Sequence, residues 1–339
     1  MIIDAYTHIL PKKYQEGLER KVAGRDPRLS TVRYAKIVSS LLDLDARFKI
    51  MDAFGEYVQV ISVASPPIYD IAPPDVAKEL CAIANDELAE LVFKYPDRFA
   101  AGIACLPMND VDAAVAEAER AVKDLRLKAV EFHSHVAGKP LDAPEFLPLY
   151  EKMVELDRPI FLHPMREATT PDYPGEEMSK YRVWTSIGWP YATGLAMTRL
   201  VYGGVMEKFP DLRIVTHHCG GIIPFVIGRL DWSYDFNEMR MGYRDVYLKQ
   251  KPIQYFKRFY YDTAVNGNSS ALMCGLALAG IDHMLFATDD PFDSQNGLRL
   301  IRDTIASVEA MGLSEEDKKK VYEGNATSLL RLPFCALSI

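Results

Sequence analysis

The chain lacks the sequence features of several large classes of protein. It contains no apolar run approaching about 18 residues, which is the length that a membrane-spanning helix needs. Its amino terminus begins with a strand pattern and not with the basic, apolar and small-residue regions of a secretory signal. No GxGxxG motif follows the first strand pattern, and no P-loop pattern occurs anywhere. We therefore expect a cytoplasmic protein without a membrane partner and without a nucleotide cofactor.

Excess positive charge is also lacking. The net charge is −8 and the isoelectric point is near 5.5. Nucleic acids and anionic membranes both reward basic surfaces, so we expect neither as a partner. The five cysteines are odd in number and without CxxC spacing, which predicts no disulfide framework. We interpret Cys81, Cys105, Cys274 and Cys335 as small hydrophobic residues. Cys219 is the exception, because it adjoins His218, although a packing or loop role is also open for it.

What the chain does contain is a regular alternation of strand and helix patterns. Eight short apolar or alternating runs resemble β-strands: Ile2 to Tyr6, Tyr57 to Ala64, Ala101 to Cys105, Lys128 to His133, Pro159 to His163, Leu212 to His217, Arg258 to Thr263 and Met284 to Thr288. Helical patterns lie between or after them: Pro74 to Val92, Val111 to Asp124, Ala143 to Leu156, Thr193 to Lys208, Ile222 to Tyr234, Ser269 to Leu278, Asn296 to Met311 and Ser314 to Leu330. This order predicts βα units and a parallel sheet, and eight units favour a closed α/β barrel of the (β/α)8 (TIM barrel) type over an open sheet. We expect one domain over residues 1–339.

Two connections in this pattern are unusually long, from Leu10 to about Asp45 and from Pro164 to about Tyr191. Long loops at the mouth of a barrel shape a pocket or cover it, so we expect insertions on that side. The second loop carries Trp184 and Trp189, which suggest an aromatic or planar conjugated ligand, although aromatic residues in loops serve as often in packing.

Four chemically reactive residues lie at or just past the end of a predicted strand: His8, His163, His218 and Asp289. A barrel of parallel strands brings the carboxyl ends of all its strands to one mouth, so residues distant in sequence converge there. Histidine and carboxylate side chains are ligands of divalent transition metals. The pattern therefore suggests a metal site.

Four segments of the chain resemble one known family: IIDAYTHILP at 2–11, FLHP at 161–164, THHCGGIIPFVIGRLD at 216–231 and FATDDPF at 286–292. They are similar to the amidohydrolase superfamily, in the branch of aminocarboxymuconate semialdehyde decarboxylase and γ-resorcylate decarboxylase. The resemblance implies an amidohydrolase-type barrel with one divalent metal, zinc first and manganese or iron as alternatives. It also implies His8, His163 and Asp289 as the metal ligands.

This chain departs from the family's pattern at the first predicted strand. The family usually places two ligands there, as HxH or ExH, whereas this chain has Tyr6 and His8. A neutral phenol with a pKa of about 10 is a poor metal ligand. We therefore expect Tyr6 to contact the substrate, or to lie next to the metal ligands, in preference to binding the metal directly. Three protein ligands are enough to hold zinc or manganese while a position stays open for substrate.

The resemblance also places His218 at the family's catalytic histidine. Imidazole is suited to proton transfer near neutral pH, and Asp289 would orient it, so we predict both as catalytic residues. We expect His217 to point away, because successive strand residues face opposite sides. His133 ends the fourth predicted strand, and we expect it either to line the substrate pocket or to pack in the core.

Two arginines match the spacing of the family's substrate-carboxylate residues, namely Arg47 in ARFKIMDAFG and Arg229 in FVIGRLD. Guanidinium groups bind carboxylates through paired, charge-assisted hydrogen bonds. In the family the second arginine comes from a neighbouring subunit, which implies a homodimer or higher homo-oligomer and a small carboxylate substrate.

These expectations together favour a metal-dependent, non-oxidative decarboxylase of an aromatic or conjugated unsaturated acid. A mononuclear metal-dependent hydrolase of a lactone, amide or carbon–carbon bond is the first alternative, because the same ligands support it. A binuclear hydrolase is disfavoured, since Lys128 begins the fourth predicted strand and does not end it. A non-catalytic member that has lost its metal is the second alternative.

Overall fold

The computed structural model describes residues 1–22, 37–64, 66–241 and 246–333. Eight parallel strands lie side by side in chain order: β1 (Ile2–Ile9), β2 (Tyr57–Val63), β3 (Phe99–Ala104), β4 (Ala129–His133), β5 (Ile160–His163), β6 (Ile214–Thr216), β7 (Tyr260–Asp262) and β8 (Met284–Leu285). Backbone hydrogen bonds from Ala5 to Phe286 and from His8 to Asp290 join β1 to the segment of β8 and close the barrel. The predicted α/β barrel is confirmed. Cys335 and residues 23–36 of the first long connection lie outside the described residues.

Helices connect the strands and continue after the last one. The α-helices are α1 (Lys12–Lys21), α2 (Leu44–Met51), α3 (Ile68–Ile71), α4 (Pro74–Lys94), α5 (Val111–Lys123), α6 (Leu147–Leu156), α7 (Val183–Ser186), α8 (Gly188–Tyr202), α9 (Val205–Lys208), α10 (His217–Gly220), α11 (Ile223–Met241), α12 (Pro252–Phe256), α13 (Ser269–Ala279), α14 (Leu298–Glu309), α15 (Glu315–Lys319) and α16 (Asn325–Leu330). A short hairpin, His135–Val136 with Lys139–Pro140, follows β4. Within the described ranges, every helix is too short or too polar to cross a bilayer.

Most predicted elements match the observed ones within a few residues. The helix predicted over Ile222 to Tyr234 continues to Met241, and the one predicted over Thr193 to Lys208 is divided into α8 and α9. Two further differences are informative. The sixth strand ends at Thr216, before the pair His217 and His218. The last predicted helix, Ser314 to Leu330, is divided by a π-helical turn at Lys320–Gly324. Single-turn π-helices interrupt α-helices in this way without ending the helical path.

Two apolar clusters form the core. One fills the barrel interior with mostly small or branched side chains, among them Ile3, Val60, Ile103, Phe161 and Val215. The other lies between the barrel wall and the surrounding helices. Because the interior is packed, polar residues can face open space only at the strand ends, which is where barrel enzymes place their chemistry.

Candidate metal centre and active site

Four side chains meet at the carboxyl ends of the strands: His8, His163, His217 and Asp289. Each offers a nitrogen or oxygen atom, and these atoms all lie within 4.8 Å of one another. The Nε2 atoms of His8 and His217 lie 3.2 and 3.4 Å from Asp289 Oδ1. Neither Nε2 atom has a hydrogen-bond partner of normal geometry among the described residues. Three imidazoles and one carboxylate around a common point fit a single divalent metal ion.

The other ring nitrogen of each histidine is held by the surrounding protein. Ser62 Oγ lies 2.9 Å from His8 Nδ1, and the Nδ1 of His163 lies 2.7 Å from the backbone carbonyl of the next residue. His217 Nδ1 is hydrogen-bonded to Asp262 Oδ2. Such contacts orient the ring and direct Nε2 toward a metal, as in many metal-binding histidines.

The pKa values of the four residues in the cluster are shifted in different directions. Burial lowers the pKa of His8 and holds the pKa of His163 well below its usual range. Burial opposes the protonation of His217 as well, but the carboxylates of Asp262 and Asp289 outweigh it and raise the pKa of His217 to about 10. Burial would raise the pKa of Asp289, yet its histidine partners hold it well below its usual range. Without a metal, the cluster thus combines two neutral imidazoles, His8 and His163, with a protonated His217 and an ionised Asp289.

The expectation that His217 points away from His218 is wrong. Strand alternation does not apply to this pair, because β6 ends at Thr216 and the chain then enters the left-handed region, with φ of 55° at His218 and 54° at Cys219. Both imidazoles therefore face Asp289, and their ring centroids are 3.9 Å apart. The repeated histidine in the sequence was the signal for His217, and the alternation rule hid it.

His218 lies between the cluster and the mouth of the barrel. Its Nε2 is 3.6 Å from Asp289 Oδ2, and 15% of its side chain is exposed, whereas His217 is fully buried. Burial, and next the positive charge of His217, lower the pKa of His218. The structure thus brings His218 to the carboxylate that sequence analysis assigned to it, on the side that a substrate can reach.

Tyr6 lies below the metal cluster. Its side chain is 1% exposed, and its ring centroid is 5.1 Å from that of His8, 4.7 Å from that of His217 and 6.1 Å from that of His163. Burial, and next the charge of Glu131, raise the pKa of Tyr6 well above its usual value. The phenol is therefore neutral and borders the metal cluster from inside the barrel.

Glu131 was missed by sequence analysis. It precedes His133 by two residues on β4, so both side chains face the same side of the strand, and Glu131 Oε1 lies 3.4 Å from His133 Nε2. Together with His163 they form a second group of potential metal ligands, all buried. Burial raises the pKa of Glu131 to about 8 and lowers that of His133 to about 3. Period-two spacing from His133 was the signal that could have identified Glu131.

Aromatic side chains from the second long connection and from the segment after β8 lie near the metal cluster. The ring of Trp189 lies 5.4 Å from that of His163 and 6.2 Å from that of His218, measured between centroids. Trp184 packs edge-on against Trp189 at 5.7 Å, and Phe292 lies 5.6 Å from His8. Trp189 therefore lies beside the metal cluster, and Trp184 packs behind it. Their contact with a planar ligand stays a prediction.

Arg47 does not fit the expected role of a substrate clamp. Its side chain is 1% exposed and lies in the barrel wall. The guanidinium donates to Gln59 Oε1, to the carbonyls of His8 and Ser40 and to Thr7 Oγ1, and it pairs with Asp290 at 3.1 Å. These five contacts match its five N–H groups, so a substrate carboxylate would have to displace a buried partner. Arg47 instead ties β1 and β2 to the loop that carries Asp289.

Arg229 lies exposed on α11, on the outer surface of the barrel. The described contacts do not bring it to the metal cluster within one chain. Its position is compatible with the expectation of a role across a subunit boundary.

The chain is similar to known proteins over nearly its whole length. Residues 3–332 match the family model described as amidohydrolase. The chain is 29% identical over 342 residues to 2-amino-3-carboxymuconate-6-semialdehyde decarboxylase of Dictyostelium discoideum, covering 97% of this chain and 91% of that protein. It is 31% identical over 309 residues to γ-resorcylate decarboxylase of Polaromonas sp. strain JS666, covering 88% and 91%.

A solved structure is also similar over nearly the whole chain. It is that of dihydroxybenzoic acid decarboxylase from Polaromonas sp. JS666 with bound manganese and the inhibitor 2-nitroresorcinol, with a TM-score of 0.77 and 28% identity over 97% of this chain and 96% of that one. The resemblance noted in four sequence segments is thereby confirmed, and this chain belongs to the amidohydrolase family.

Proposed function

We propose that this protein is a metal-dependent, non-oxidative decarboxylase of an aromatic or conjugated unsaturated carboxylic acid. One observation carries the proposal. His8 and His163 converge with Asp289 in a metal-binding geometry, and His218 approaches the same carboxylate from the open side. The similarity to decarboxylases of dihydroxybenzoate and aminocarboxymuconate semialdehyde supports this reaction class over hydrolysis.

His8, His163 and Asp289 would hold one divalent metal. Zinc suits this set of ligands, and manganese and iron suit it as well. The manganese in the related dihydroxybenzoic acid decarboxylase makes manganese the first alternative to test. When bound, the metal would act as a Lewis acid that polarises a substrate oxygen.

The residues of the chain would supply the rest of the chemistry. Loss of CO2 breaks the bond between the carboxylate group and the substrate carbon that carries it. The electron pair of this bond stays on that substrate carbon. His218 would pass a proton to this carbon, and Asp289, which lies 3.6 Å from its Nε2, would hold the imidazole in position. Trp189 and Phe292 flank the site and would exclude water from the face of the substrate.

A small pocket lies beside Glu131 and His133. It has a volume of about 20 Å³ and opens between the ends of β2, β3 and β4. Its lining is mainly apolar, with Tyr69, Leu106, Glu131 and His133 among its residues. We propose that His133 contacts the substrate there and that Tyr6 supports the floor of the site.

We also propose that the protein is a homodimer formed through α11. This helix exposes Phe225, Trp232 and Met239 to 87, 57 and 75%, and Arg229 lies between them on the same face. Contiguous apolar surface of this kind marks an interaction site. A second copy would cover it and could carry Arg229 toward the neighbouring mouth, where it would bind the substrate carboxylate.

The decisive experiment combines metal content with product analysis. Protein produced with added zinc or manganese, and purified without chelator, should contain about one metal per chain. It should release CO2 from a panel of hydroxylated benzoates or conjugated dicarboxylates in stoichiometric amounts, and in D2O the product should carry one deuterium at the former carboxylate position. Hydrolysis products without CO2 would instead favour the hydrolase alternative, and bound metal without turnover of any acid or ester would favour the non-catalytic one.

A further inference from the structure

The metal cluster has one more histidine than the three ligands assigned above. His217 is fully buried, and its Nε2 lies 3.4 Å from the same Asp289 oxygen that His8 approaches. It offers this nitrogen within 4.8 Å of the donor atoms of all three proposed ligands. A buried imidazole nitrogen without a hydrogen-bond partner is unusual, because burial of an unsatisfied polar atom costs free energy.

The environment of His217 is that of a metal-binding histidine. Its Nδ1 is hydrogen-bonded to the carboxylate of Asp262, which is itself fully buried. The other oxygen of Asp262 accepts hydrogen bonds from the backbone N–H groups of Cys219 and Ala264, so its position is fixed. A carboxylate, a histidine and a metal in this order orient the ring and increase the basicity of the ligand.

The site also contains a position that lacks a good ligand. Tyr6 stands where the expected pattern of two ligands on β1 would place the first of them, and a phenol hydroxyl ligates metals poorly. The ring of His217 lies directly against that of Tyr6, with 4.7 Å between centroids. His217 thus reaches the metal cluster from β6, next to the position that β1 leaves without a histidine or carboxylate.

We propose that His217 Nε2 is a ligand of the divalent metal, in addition to His8, His163 and Asp289, and that it replaces the ligand that Tyr6 does not provide. This inference rests on the proposed metal site. The adjacent histidines then have separate tasks: His217 binds metal inside the barrel, while His218 remains available at the mouth for proton transfer. The left-handed turn at His218 makes this division possible.

Metal affinity in matched variants tests the assignment without any substrate. Manganese binding would be titrated by electron paramagnetic resonance of free Mn²⁺ in His217→Ala, His218→Ala and Tyr6→Phe. Loss of a residue that only orients a ligand weakens binding by about 10- to 100-fold, so loss of His217 as a ligand should weaken it by more than ~100-fold. The neighbouring His218→Ala and the isosteric Tyr6→Phe should change it much less. Strong loss in Tyr6→Phe with affinity retained in His217→Ala would overturn the assignment.

A second measurement uses the unmodified protein, so it does not depend on the folding of His217→Ala. X-ray absorption of the cobalt-substituted protein counts the imidazoles bound to the metal. Three imidazoles are expected, and two would overturn the proposal, as would failure to bind any metal. Three imidazoles in a protein that decarboxylates no acid would leave the ligand assignment intact and refute the proposed function alone.

Discussion

The imidazoles of His217 and His218 lie 3.9 Å apart, although neighbouring residues of a strand would point in opposite directions. The strand ends one residue earlier, at Thr216, and His218 adopts a φ of 55°. Positive φ is uncommon for a residue with a side chain and is concentrated at functional sites. The turn therefore presents two histidines, one buried and one partly exposed, to a single carboxylate.

Replacement of His218 should separate proton transfer from metal binding. We expect His218→Asn to lower the rate constant for decarboxylation by about 10²- to 10⁴-fold, because general acid catalysis by a positioned side chain contributes that much. Metal content per chain should stay unchanged. The rate would be measured from CO2 release at saturating substrate, with metal content determined by plasma mass spectrometry. A variant that decarboxylates as fast as the unmodified protein would remove His218 from the mechanism.

Arg47 should matter for stability more than for substrate affinity. Arg47→Met leaves the buried Asp290 carboxylate without its cation, and breaking a buried ion pair costs about 3–5 kcal/mol. We expect a loss of this order in the free energy of unfolding, measured by urea denaturation. Arg229→Met, which alters an exposed residue, should stay within about 0.5 kcal/mol. An Arg47→Met protein of normal stability and raised KM would restore the substrate-clamp interpretation.

Ionisation of the Asp4 carboxyl group should lower the free energy of unfolding as the pH rises. This carboxyl group is fully buried, and burial raises its pKa to about 7 despite hydrogen bonds from Thr288 and Tyr57. The folded state therefore holds this proton more tightly than the unfolded state, where the usual value is 3.8, so the contribution of Asp4 is lost between about pH 4 and pH 7. Asp4→Asn should remove this dependence.

The measurement for Asp4 is the free energy of unfolding in urea at about pH 5 and about pH 8. Relative to the unmodified protein, Asp4→Asn should gain stability between the two conditions by up to a few kcal/mol, since each unit of pKa shift corresponds to about 1.4 kcal/mol. Asp75→Asn, at an exposed helix start, is the control and should show no such gain. Parallel pH profiles for Asp4→Asn and the unmodified protein would contradict the prediction.

Trp232 should hold the proposed dimer together. It stacks on Phe236 at 4.8 Å between centroids and is 57% exposed on α11. We expect Trp232→Glu to convert a dimer into a monomer, as measured by light scattering after size-exclusion chromatography, because it places a charge in an apolar interface. Phe93→Glu, at an 89% exposed aromatic residue on α4, should leave the dimer intact. A monomeric unmodified protein would refute the interface.

The sequence alone predicted the barrel, its strands and most members of the metal cluster. Strand and helix periodicities are local properties of the sequence, so they can be recognised without knowledge of the fold. Once eight parallel strands are assigned, residues such as His8, His163 and Asp289 must converge, because all strand ends share one mouth. That reasoning needs only the order of elements and not the position of any atom.

Only the tertiary structure decided that both adjacent histidines, His217 and His218, face the metal cluster. It also decided that Arg47 is not available to bind a substrate carboxylate. His217 joined the cluster because β6 ended at Thr216, and the point at which a strand gives way to a turn depends on packing beyond the local sequence. Arg47 does not face the substrate site because partners from β1, β2 and the Asp290 loop surround it, and such contacts between distant segments exist only in the folded chain.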